Sequence, residues 1–140
     1  MGLYEKFGTD PVLEKEEGIV LDFGEGYGKF RIRRAGGANQ LFRTRMTAAA
    51  KPYQRQLAAG TADEDVMLKI YVGVYVDTVI MDWEDVKDAN GKALAFTKKN
   101  AQKLFEELPE FFALITDAAE SAQNFQREEL QELEKNSDSS

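Results

Sequence analysis

"IVLDFGEGYGKFRIR", residues 19–33, holds the decision about this chain's fold. Ile19, Leu21 and Phe23 alternate onto one side of an extended segment. After three glycines, Phe30 and Ile32 do the same, with Lys29, Arg31 and Arg33 on the opposite side. Period-2 runs on both sides of a glycine-rich link predict a β-hairpin. The same letters invite another reading. Asp22-Phe23-Gly24 matches the magnesium-binding tripeptide of protein kinases, and Gly24, Gly26 and Gly28 resemble a phosphate loop. A phosphate loop must run from a strand into a helix N-terminus, whose free N–H groups hold the anion. Here the glycines lead into a second strand. A kinase also needs a catalytic loop, a lysine-bearing strand and far more chain. The stretch therefore reads as a corner, with glycine supplying positive φ at no Cβ cost.

Outward from the hairpin, the chain reads as mainly helical. Asn39 is placed to cap a helix from Gln40, with Leu41, Phe42, Met46, Ala49, Ala50 and Tyr53 on one stripe. Pro52 predicts a kink or break, and Gly60 an end. Thr61-Ala62-Asp63-Glu64 has the pattern of a capping box and opens "DEDVMLKIYVGVYVDTVIMDW". That run is rich in β-branched residues, but its length and the cap favour one central, buried helix. Residues 83–96 hold an Asn90-Gly91 turn, read as a small hairpin or loop. Thr97 caps the next helix, which carries Leu104, Phe105 and Leu108; Pro109 breaks or restarts it. The last helix runs to Phe125. The expectation is a single α+β domain, mainly α-helical, over residues 1–125: an N-terminal β-hairpin plus about four helices, with a small second hairpin or loop. Residues 126–140 read as a fraying helix and flexible acidic tail.

Composition narrows the chemistry. The 140 residues contain neither cysteine nor histidine. Disulfides and thiol nucleophiles are excluded, and so are imidazole acid/base catalysis and imidazole or thiolate metal sites. An apolar fraction of 43% excludes wholesale disorder. The opening "MGLYEKFGTDPVLEKEE" is too charged for a secretory signal. The longest apolar run, residues 66–81, contains Lys69 and Asp77 and is too short to span a bilayer.

Four groups of residues come into question as sites. "VKDANGKALAFT", residues 86–97, resembles a calcium loop, but Val86 and Thr97 would fill positions that require acids. Asp82, Glu84 and Asp85 form one acidic cluster, and Glu106 and Glu107 another. Nothing in the sequence sets two carboxylates in contrasting environments, so both read as solvated surface. Residues 29–55 carry a net charge of +8, inside a protein whose net charge is −7. Arg31, Arg33, Arg34 and Arg43 within that segment are candidate protein-interface residues. They face acidic patches on a partner, or they pair within the chain with Glu14, Glu16, Glu17 or the C-terminal helix. "LFEELPEFFALI" holds more aromatic bulk than one helix can bury on one side, which makes Phe111 and Phe112 candidates for an interface.

Taken together, "FGTDPVLEKEEGIVLDFGEGYGKFRIRRAGGANQLF", "PYQRQLAAG" and "DWEDVKDANGKALAFTKKNAQKLFEELPEFFALITDAA" resemble tail assembly chaperones of long-tailed (siphovirus-type) bacteriophages, over about residues 7–125. The resemblance implies a non-enzymatic protein of the host bacterial cytoplasm with no cofactor and no membrane. It implies binding to the tape measure protein, promotion of tail tube polymerisation, self-association into rings or spirals, and absence from the mature virion. It also implies a longer version, made by ribosomal frameshifting, that recruits the tail tube protein. Glu134-Lys135-Asn136 can be encoded GAA-AAA-AAC, which contains a slippery heptamer; codons that break it would exclude a −1 slip there. The complementary charges of residues 29–55 and 56–140 suggest head-to-tail self-contacts that salt would weaken. The competing reading is a small nucleic-acid-binding protein using residues 29–55, which the acidic overall balance disfavours. A small enzyme is the weakest reading.

Overall fold

The computed structural model describes residues 2–126. A short helix α1, Leu3–Phe7, leads through a π-helical turn at Leu13–Glu17 into strand β1, Ile19–Asp22, and strand β2, Lys29–Ile32. Helices α2, Gln40–Ala50, and α3, Gln54–Ala59, are joined by a 3-10 turn at Lys51–Tyr53. Helix α4, Glu64–Thr78, is followed by strand β3, Ile80–Glu84. Helices α5, Lys98–Glu107, and α6, Pro109–Glu120, precede a last 3-10 turn at Ala122–Phe125. The mainly helical α+β architecture is the expected one.

The hairpin forms where the alternation puts it. Ile19 pairs with Ile32 and Leu21 with Phe30, so the apolar sides of β1 and β2 coincide. Phe30 and Ile32 are fully buried. The sheet has a third strand, in a stretch that length and capping assign to helix. α4 stops at Thr78 and the chain turns at Val79. Ile80–Glu84 then adds antiparallel to β2, so that β2 lies in the centre. For these five residues the β-branched content is the better guide. Their partner, β2, lies far earlier in the chain, beyond the reach of a local pattern. A register shift between Arg31 and Ile32 sets Ile32 opposite Ile80 and Arg31 opposite Asp82.

Helix α4 is apolar nearly all round and central, with Val72, Tyr75 and Val76 buried. Phe105 of α5 and Phe112 and Ile115 of α6 close the core over the sheet. Two predicted caps are corrected. Asp63, not Thr61, caps α4: its Oδ1 accepts the Val66 amide at 3.0 Å. The Thr61 amide instead donates to the Gln56 carbonyl and closes α3 behind Gly60, whose φ is 70°. Asn39 precedes α2, but its side chain caps nothing there. Its amide donates to the carbonyls of Arg34 and Thr78, both at 2.9 Å, which ties the β2–α2 connection to the C-terminus of α4. A carboxamide turned to donate in this way has no oxygen directed at the α2 amides.

Other local signals hold. Pro52 interrupts the helix with 3-10 geometry. Thr97 Oγ1 accepts the Asn100 amide at 3.0 Å. Pro109 opens α6 directly after α5. The Asn90-Gly91 turn sits in a small hairpin closed by a Lys87–Ala93 bridge. There the Asp88 carboxylate accepts the amides of Asn90 and Lys92 at 2.9 Å each, as in an ordinary turn. Gln126, the first residue of the segment read as a tail, is buried; the rest of that segment lies outside the described residues. Among the described residues no helix is long and apolar enough to cross a membrane.

Candidate protein-binding groove

The corner read from "GEGYG" frames the main surface feature. Gly28 has a φ of 94°, and a Cβ there would lie 2.8 Å from both Phe30 and Val86. Only glycine lets the hairpin return this close to its own core. The tip is also tethered. Asp85, at a positive φ of 55°, accepts the Gly26 amide with Oδ2 at 2.7 Å. With both ends of the turn fixed, Tyr27 projects outward and remains 75% exposed.

Across from the tip is the elbow between α5 and α6. Leu108, half-exposed, sits at the bend with non-helical backbone (φ −120°, ψ 66°), and Pro109 starts the new helix without needing an N–H partner. The bend brings Phe111 back against the sheet. Its ring meets Phe23 edge-on at 5.0 Å and Phe30 at 5.2 Å, and stacks on Phe105 at 6.2 Å. An open groove of about 760 Å³ lies between tip and elbow. Phe23, Tyr27, Val86, Leu104, Leu108 and Phe111 form its apolar lining, and Lys87, Glu107 and Glu110 stand at its margin. Such a volume lies within the ordinary range of binding clefts.

The structure separates the two phenylalanines expected at an interface. Phe111 lies at the groove. Phe112 points the other way, buried against Tyr75 at 5.2 Å and Phe105 at 5.5 Å.

All four candidate arginines bond within the chain. Arg31 donates to the Glu17 carbonyl and Arg33 to the Lys15 carbonyl, each at 2.9 Å. Arg43 donates to the Gly37 carbonyl at 2.7 Å. Arg34 forms an ion pair with buried Glu14, whose other oxygen accepts the Ala38 amide at 3.3 Å. Glu14 thereby locks the N-terminal π-turn onto the β2–α2 connection. On the outer side of the sheet, Lys29 stands opposite Glu84 and Arg31 opposite Asp82. Opposite charges in such cross-strand positions attract by about 0.2–1 kcal/mol. Within the positive segment, then, Arg34 is paired with a carboxylate, Lys29 and Arg31 stand opposite acids, and Arg33 and Arg43 are held by backbone carbonyls.

Sequence reasoning missed Tyr27 and Phe23 as surface-forming residues. The available signal is a tyrosine set among glycines, where an aromatic side chain has no local core to enter. Away from the groove, burial pushes the Tyr75 hydroxyl pKa up, and the neighbouring Glu120 carboxylate, 3.4 Å away, adds to the effect.

Among known proteins, a family model described as YdaY prophage protein matches residues 37–136. The match takes in α2 to α6 and β3 and leaves out the β1–β2 hairpin. No curated protein and no solved structure matches the chain.

Proposed function

Since the chain belongs to the YdaY prophage protein family, we propose that it serves phage assembly as a non-enzymatic tail assembly chaperone. Its client in this reading is the tape measure protein, whose long helices expose apolar stripes that aggregate unless covered. The observation that carries the reading is the open aromatic groove between Tyr27 and Phe111. It has the character of helix-in-groove recognition, in which an amphipathic helix lays apolar side chains into a preformed cleft. The resemblance to tail chaperones in residue order supplies the client. With a net charge of −7 the chain as a whole repels phosphate, so a protein partner is favoured over nucleic acid. Under the same proposal the protein acts in the host cytoplasm and leaves before the virion matures. A frameshifted longer version would bring in the tail tube protein.

Co-expression with the tape measure protein of the same prophage tests this. The expected result is a larger soluble fraction of tape measure protein that co-purifies with the chain. Tyr27→Ser together with Leu108→Ser, both at exposed positions, should abolish co-purification while leaving the fold intact. Tape measure protein that stays equally insoluble with and without the chain would refute the assignment.

A further inference from the structure

Helix α1 buries none of its residues. Leu3 is 75%, Tyr4 93% and Phe7 64% exposed, three large apolar side chains within little more than one turn. The helix is nevertheless mounted firmly. Gln126 Nε2 donates to the Lys6 carbonyl at 2.7 Å, and the Asp10 amide donates to the Phe125 carbonyl at 2.8 Å. This mount stands just past the C-terminal end of α6, while the groove lies at its N-terminal end. The 12 residues of α6 separate them by on the order of 18 Å, at 1.5 Å per residue. An anchored α1 cannot fill its own groove, but it is placed to fill another's.

We propose that α1 of one copy seats Leu3, Tyr4 and Phe7 in the Tyr27–Phe111 groove of a second copy. Charge supports the match. α1 carries Glu5 and Lys6, and the groove margin carries Lys87, Glu107 and Glu110, so each arm charge has an opposite to meet. Because knob and cleft are separate patches of one subunit, a copy whose arm is docked still offers its own groove to a third copy, so the contact can repeat head to tail into rings or open filaments. A five-residue arm buries far less than the roughly 1,200 Å² of a stable interface, so each contact is weak and exchangeable. The arm therefore shields the groove until a client displaces it. That regulatory step rests on the groove being the client site; the self-contact does not.

The cysteine-free chain permits a direct test. A tagged Tyr4→Cys copy is mixed with a differently tagged Leu108→Cys copy under mild oxidation. The expected mixed disulfide forms several-fold faster than with a Leu57→Cys copy on α3. Equal rates would overturn the contact. In sedimentation velocity, Tyr4→Ser with Phe7→Ser should be monomeric where the unmodified chain associates, with an unchanged melting temperature. Association that survives the double substitution, or an unmodified chain that never associates, would also overturn it. Client capture keeps the two readings apart. A monomeric arm variant that captures more tape measure protein than the unmodified chain supports the shielding, and one that captures less refutes it. Failure of both to capture any, while the Tyr4→Cys and Leu108→Cys copies still cross-link, refutes only the chaperone assignment.

Discussion

The carboxylate of Asp85 accepts the Gly26 amide at 2.7 Å, and Asp85 alone among the described non-glycine residues holds a positive φ. One residue at the end of β3 thus fixes the hairpin tip and, with it, one wall of the groove. Asp85→Ala keeps the left-handed backbone and loses the bond, so it should cost about 1–2 kcal/mol in urea denaturation. Asp85→Gly relieves the backbone while losing the same bond and should fall closer to the unmodified chain. Amide exchange at Gly26 should quicken in both. Two variants indistinguishable from the parent would show that the tether contributes nothing.

Removing one side of the Glu14–Arg34 pair leaves a charge stranded. Glu14 is buried and Arg34 only 21% exposed. Glu14→Ala should destabilise by about 3 kcal/mol. Combining Glu14→Leu with Arg34→Met removes both charges and should recover most of that loss. Equal losses in single and double variants, read from denaturation midpoints, would exclude a pairing contribution.

Gly28 and Gly91 both have positive φ, but only Gly28 of the two faces close neighbours. Gly91→Ala should cost about 1 kcal/mol, from backbone strain alone. Gly28→Ala adds a clash with Phe30 and Val86, an overpacking that should bring the cost to about 2 kcal/mol or more. Similar melting temperatures for the two variants would remove the close-approach explanation of the corner.

Burial, reinforced by Glu120, keeps the Tyr75 hydroxyl protonated above its ordinary pKa of about 10. Above that pH the unfolded chain releases this proton and the folded chain retains it. The contribution is therefore complete below about pH 10 and is lost as pH rises, at up to about 1.4 kcal/mol per pH unit. Tyr75→Phe should flatten that alkaline decline. Parallel stability–pH curves for parent and variant would contradict the assignment.

Local chemistry made much of the fold legible. Alternation around three glycines marks the hairpin, Pro52 and Pro109 mark helix breaks, and Thr97 marks a helix start. Strand β3 was not legible. No glycine or proline separates Thr78 from Ile80, and the switch from helix to strand is decided by pairing with β2. Asn39 and Thr61 mislead for different reasons: tertiary packing draws the Asn39 side chain to the Thr78 carbonyl, whereas Thr61 is taken up locally in closing α3, which leaves the cap of α4 to Asp63. At the candidate site, Phe111 could be anticipated from an excess of aromatic bulk. Phe23 and Tyr27 meet it from the opposite end of the sequence, a juxtaposition that only the folded sheet creates. Of the carboxylates considered as partners for the basic segment, Glu14 meets Arg34 with its side chain, whereas Glu17 meets Arg31 through its backbone carbonyl.

The strap from Gln126 to the Lys6 carbonyl has a practical consequence for anyone handling this protein. Gln126 lies against the backbone of α1, so a bulky label carried on residue 126 itself would crowd α1, the arm proposed above to make the self-contact. Labels intended to report on assembly are better attached at the α3–α4 junction near Thr61, whose side chain is exposed and remote from the Gln126 strap in sequence.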